Sequence, residues 1–101
     1  MIIHTVAFKT KHAKGSADEE AFLKAGIALG ELPMVENFQC YKQVSGKNDF
    51  EFGFSMEFRS QLEYDAYNEH PEHTEFVQSR WLPEVEKFLE IDYVKHSVGK
   101  G

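Results

Sequence analysis

The sequence predicts an α+β domain in which a four-stranded antiparallel sheet carries helices on one face. Three observations lead to it. Residues 50–58, Phe-Glu-Phe-Gly-Phe-Ser-Met-Glu-Phe, alternate large apolar residues with small or acidic ones, the period-two signature of a half-buried strand. Two S-x-x-E sequences, Ser16-Ala17-Asp18-Glu19 and Ser60-Gln61-Leu62-Glu63, have the form of a capping box that opens a helix. Runs rich in β-branched and aromatic residues near both ends of the chain, and before residue 45, supply the remaining strands.

Taken in order, residues 2–9 form the first strand, with Ile2, His4, Val6 and Phe8 on one face. A histidine in the middle of an apolar face is either a satisfied core group or a site residue. After the polar connection 11–15, the first capping box starts a helix that runs past Phe22, Leu23 and Ile27 to about Glu31, where Pro33 stops it. Gly26 and Gly30 weaken this helix, so they mark either close packing or a mobile lid. Residues 38–45 form a second strand, closed by the turn formers Gly46-Lys47-Asn48-Asp49. The third strand then presents a Phe/Met wall, to be read as core or, in part, as the lining of a pocket.

The second capping box opens a helix that reaches Tyr67-Asn68-Glu69-His70-Pro71-Glu72-His73. Pro71 disfavours helical geometry at His70, so the helix breaks there and restarts with Pro71 in its first turn. Val77, Trp81, Val85 and Phe88 or Leu89 follow at helical spacing, with a kink or restart expected at Pro83. Residues 90–98 are expected as the last strand, Asp92 and Val94 on one face, Ile91 and Tyr93 on the other. The order β-α-β-β-α-β is that of the split ferredoxin-like motif. Its helices cover one sheet face only, which favours a homodimer packed sheet on sheet.

Composition narrows the classes of partner. A chain of 101 residues with 42% hydrophobic and 28% charged residues is expected to form a single domain, residues 1–101. Nine phenylalanines are many for one small core, and a ligand pocket or a subunit interface would absorb the excess. The net charge of −6, with Lys and Arg scattered, argues against nucleic acid and against anionic membrane surfaces. The first residues lack the basic and apolar regions of a signal peptide, and the single cysteine, Cys40, fits a reducing compartment, so a cytoplasmic location is expected. Cys40 itself reads as a small buried or half-buried thiol.

Four segments together carry a likeness that spans nearly the whole chain. His4-Thr5-Val6-Ala7-Phe8-Lys9, Phe58-Arg59-Ser60, Tyr67-x-x-His70-Pro71-x-His73 and Asp92-Tyr93 resemble the stress-responsive dimeric α+β barrel (Dabb) family. Members are ferredoxin-like and pair their sheets into a barrel; many have no established activity, and olivetolic acid cyclase, a plant polyketide cyclase, is a catalytic example. The resemblance implies acid/base roles for Tyr67 and His73, with His4, His70 and Asp92 at matching positions. It further implies an apolar pocket lined by Val6, Phe8, Phe22, Phe54, Phe76 and Trp81. Ala25 stands where the cyclase has a tyrosine, and Glu75 and Val77 where it has glycines, which reshapes that pocket. Some relatives hold a cation on main-chain carbonyls, which here would belong to Leu29, Leu32 and Val35.

The residues themselves suggest a chemistry. If His73, His4 and Asp92 meet, the carboxylate can fix one imidazole tautomer and leave the other nitrogen as a base. A neutral Tyr67 phenol can donate to a carbonyl oxygen on which charge develops. Together they suit proton abstraction next to a carbonyl and an aldol-type ring closure without a cofactor. A cofactor-free monooxygenase of the same architecture is an alternative, as is a dimer that only binds a small apolar or aromatic metabolite. A zinc site from His70, His73 and His4 is a further arrangement, but Pro71 turns the first two apart, and no metal is expected. His12 and His96 are expected to be exposed and without role.

Overall fold

The structure, a computed structural model, describes residues 1–99. Strands β1 (Ile2–Thr10), β2 (Glu36–Lys42), β3 (Phe52–Phe58) and β4 (Val85–Val94) form one antiparallel sheet in the order β2-β3-β1-β4. Helix α1 (Ala17–Ile27) joins β1 to β2 and continues into a 3₁₀ turn, Ala28–Glu31. Between β3 and β4 lie α2 (Gln61–Glu69), α3 (Pro71–Phe76), a π-helical turn (Val77–Trp81) and the single turn α4 (Leu82–Glu84). This is the ferredoxin-like α+β fold expected from the element order. Among the described residues no helix is long and apolar enough to cross a membrane.

Local chemistry sets the helix ends. Ser16 Oγ accepts from Glu19 N at 3.1 Å and Ser60 Oγ from Glu63 N at 3.3 Å, so both sequence boxes cap a helix. His70 has extended backbone angles and ends α2; its Nδ1 then accepts from Glu72 N at 3.1 Å and caps α3, with Pro71 in the first turn. The break therefore aims two consecutive helices at the same sheet face.

The even-numbered residues of β1 and β3 point at the helices. Val6, Phe8, Phe54, Met56 and Phe58 from the sheet and Phe22, Tyr64, Tyr67 and Phe76 from the helices form the core. A Cβ on Gly26 would stand 2.5 Å from Phe54 Cζ, and one on Gly30 2.8 Å from Phe38 Cβ. Both glycines are thus close-packing sites, which decides against the lid.

The start of the last strand is corrected. Val85, Phe88 and Leu89 are not helical: β4 opens at Val85, opposite Thr10, and Phe88 sits opposite Phe8. Their i, i+3, i+4 spacing is the helical one; in the strand only the register shift between Lys9 and Thr10 puts Val85 and Phe88 on one face. Pairing settles it, because Glu84 O accepts Lys11 N at 2.9 Å and β1 then has a partner along its length. The strand ends at Val94, short of the expected residue 98, and β2 lies two to three residues earlier than expected.

Candidate functional site

Register brings the outer ends of the chain together. His4 on β1 lies opposite Asp92 on β4, and His4 Nδ1 is 2.5 Å from Asp92 Oδ1. The Tyr64 hydroxyl, from α2, donates to Asp92 Oδ2 at 2.8 Å and lies 2.9 Å from His4 Nδ1. A carboxylate can only accept here, so His4 carries its proton on Nδ1 and keeps Nε2 as the open nitrogen. Burial, first, and the hydrogen bond to Asp92 push the Tyr64 phenol far above its usual range, so it remains a donor.

His73 is held differently. The α2–α3 break places its Nδ1 3.2 Å from the Asn68 carbonyl oxygen, which can only accept, so Nδ1–H donates and Nε2 carries the lone pair. Burial lowers the His73 pKa, with His4 and His70 acting in the same direction and Asn68 and Glu90 opposing. The ring is thus a free base at neutral pH. It packs at 4.3 Å, centroid to centroid, on Tyr67, whose side chain is 2% exposed. Burial, and secondarily the charge of Glu90, hold the Tyr67 phenol protonated.

These groups share a cavity of about 220 Å³ between helices and sheet. His4, Tyr67, Asn68, His73 and Glu90 supply its polar wall. Val6, Phe54, Phe76 and Trp81, expected as lining, do line it. Phe8 and Phe22 do not: both are fully buried one layer back, Phe8 4.7 Å from Phe54 and Phe22 5.6 Å from Phe76, ring centre to ring centre. Asp92 stands outside the lining and acts on it through His4. The carboxylate that fixes an imidazole therefore serves His4, not His73.

Sequence reasoning missed Tyr64 and Glu90. Tyr64 has no motif and sits at a core-like helical position; only the strand register shows Glu90 opposite Val6, on the helix-facing side. As for metals, His70 is used as a cap and His73 is turned to Asn68, so the three-histidine arrangement does not form. Among the described residues the group with ligand-like spacing is His4, Glu90 and Asp92. The Tyr64 hydroxyl already reaches all three, at 2.9, 3.5 and 2.8 Å. In the loop after α1, the Leu29 and Leu32 carbonyls accept main-chain N–H groups from Leu32 and Val35.

Comparison with known proteins agrees with this architecture. The family model of the stress responsive A/B barrel domain, Dabb, matches residues 2–95. A Dabb family protein of ferredoxin-like fold from Mesorhizobium loti is 52% identical, with a TM-score of 0.92 over 95% of this chain and 97% of that one. An Arabidopsis thaliana protein is 26% identical, with a TM-score of 0.85 over 99% and 100%. A hydroxynitrile lyase from Passiflora edulis shares the fold at 15% identity, with a TM-score of 0.83 over 98% and 96%. No match is found among curated proteins. The chain belongs to the stress-responsive A/B barrel (Dabb) family.

Proposed function

We propose that this protein is a homodimer that binds a small apolar carbonyl compound in the helix–sheet cavity and abstracts a proton beside the carbonyl without a cofactor. The observation that carries this reading is the His73–Tyr67 pair: a base with its tautomer fixed and a phenol held protonated, in ring contact on one cavity wall. In the reaction the C–H bond breaks, its proton passes to His73 Nε2, and the electron pair moves to the carbonyl oxygen, toward which Tyr67 donates. The same step begins an aldol ring closure of the polyketide-cyclase type. An apolar cavity of roughly 150 Å³ accommodates benzene, so about 220 Å³ suits one ring with a short side chain.

The dimer rests on the bare sheet face and on relatives described as dimeric, such as a Thermobifida fusca protein of unknown function with 16% identity and a TM-score of 0.77. A cytoplasmic location fits the single thiol, Cys40, which is exposed on β2 rather than buried or half-buried as expected.

A direct test is deuterium exchange at the carbon next to the carbonyl of acetophenone in heavy water, followed by proton NMR. The protein should accelerate exchange above buffer, His73→Ala should lower the enzymatic rate by about 100-fold or more, and Tyr67→Phe should also lower it. Exchange that survives both substitutions removes the assignment. Saturable binding of the ketone without exchange would leave a binding protein rather than an enzyme.

A further inference from the structure

Glu90 is the feature of the cavity that acid/base chemistry at His73 and Tyr67 does not use. Its side chain lies on the cavity wall, on the helix-facing side of β4. Among the described residues no Lys, Arg or His lies within ion-pair distance of it, and none of the lining residues is Lys or Arg. Its hydrogen bond from the Tyr64 hydroxyl is 3.5 Å long, while that hydroxyl is 2.8 Å from Asp92 Oδ2 and gives its proton there. Glu90 is exposed while lining the cavity, so its carboxylate is open to solvent and its accepting capacity is available to a ligand that replaces that water. The same cavity is lined by the aromatic rings of Trp81, Phe88, Phe54 and Tyr67, and rings of this kind attract a cation through their quadrupoles.

From this combination we infer that the cavity selects ligands bearing an ammonium group, with Glu90 as the specificity-determining residue and the aromatic walls holding the attached apolar body. The inference rests on the cavity being the binding site proposed above, and it names the substrate class: small apolar amines, with an amino ketone as the reactive case. It also removes a conflict. A bare carboxylate near Tyr67 opposes negative charge building on a carbonyl oxygen, and an ammonium on the same ligand neutralises that carboxylate. Carboxylic acids of equal size are disfavoured for the converse reason, having no cation on the wall to meet them.

Trp81 is the single tryptophan of the chain and lines the cavity, so its fluorescence reports occupancy. Three probes of one ring and nearly equal size, benzylamine, benzyl alcohol and benzoate, are titrated near neutral pH at low salt. Benzylamine, as its ammonium, should bind about tenfold or more tighter than benzyl alcohol, with benzoate the weakest. Glu90→Gln should bring benzylamine level with benzyl alcohol. Glu86→Gln makes the same change of net charge on β4 but removes a partner of Lys9, at 3.5 Å, outside the cavity lining; it should leave the preference intact. Equal binding of amine and alcohol to the unsubstituted protein overturns the role of Glu90 and leaves the cavity as a binding site. Loss of the preference in Glu86→Gln reduces it to overall charge and overturns it as well. If none of the probes moves the Trp81 signal, the cavity itself is not the binding site, and both readings fall.

Discussion

Asp92 does more than pair with His4. Its two oxygens take separate donors, His4 Nδ1 and the Tyr64 hydroxyl, while the Tyr64 ring stacks on Phe58 with centroids 4.9 Å apart and planes at 14°. Tyr64→Phe keeps the stack and removes one donor, so urea unfolding should show a loss of about 1 kcal/mol, larger than an exposed substitution gives. His73 contributes through pH instead. Burial depresses its folded pKa below the unfolded value near 6.5, so the unfolded chain binds the proton more readily. Its contribution is then complete above that unfolded value and is lost as pH falls through the folded pKa. Between roughly pH 8 and pH 5 the urea midpoint should fall, and His73→Gln should flatten that dependence. Part of the ring is open to solvent, which keeps the effect modest. The helix break at His70-Pro71 was legible in the sequence from the proline, whereas Tyr67 and His73 stand out through the likeness of that stretch to the Dabb pattern. Which imidazole Asp92 takes, His4 or His73, is open in the sequence, since a contact across 88 residues depends on strand register, which one-residue shifts reverse.

At the level of elements, both capping boxes and the β3 alternation could be read directly, because each rests on local chemistry within a few residues. The start of β4 could not. Val85-Glu86-Lys87-Phe88-Leu89 has the helical period, and it is overridden by pairing with β1, which is nine residues long and has a neighbour on each side, through a register shift at Lys9 and Thr10 that no local pattern announces. Gly26 shows a similar dependence on a distant partner. An alanine in a helix interior is favoured over glycine by roughly 1 kcal/mol, yet its methyl would stand 2.5 Å from the Phe54 ring. That ring is packed against Phe8 and Phe38, while another part of it faces the cavity. Gly26→Ala should therefore push Phe54 toward the cavity. The net change in stability should be a loss of about 1 kcal/mol, since overpacking costs about 1–3 kcal/mol against the helix gain. Ligand affinity, read by Trp81 fluorescence, should fall more than stability does, because the displaced ring occupies space that a ligand needs.

The whole molecule has two faces that the same strands build in opposite ways. Even-numbered residues of β1 and β3 close the helix side, while odd-numbered residues leave Ile3, Tyr93, Ile91 and Leu89 on the other, with Tyr41 from β2. These are 36%, 51%, 39%, 50% and 55% exposed, and Thr5, Ala7, Gly53, Ser55, Tyr41, Leu89 and Ile91 line one shallow depression there. An apolar patch on this scale, set among small residues, suits close approach of a second sheet. Ile91, on the edge strand β4, pairs with Thr5 of the inner strand β1, so in a sheet-on-sheet dimer a charge at this position would be set against the apolar face of the second copy. Ile91→Lys should shift the protein from dimer to monomer in sedimentation equilibrium at micromolar concentration. The side chain lies on the sheet face opposite the cavity, so Trp81 fluorescence should keep its native form. The unfolding midpoint of the unsubstituted protein should rise with protein concentration, and that of Ile91→Lys should not, because only an assembly stabilises its folded chain by mass action. A monomeric parent with a concentration-independent midpoint would rule out the sheet-on-sheet dimer. It would also leave the nine phenylalanines to be accounted for by core and cavity alone.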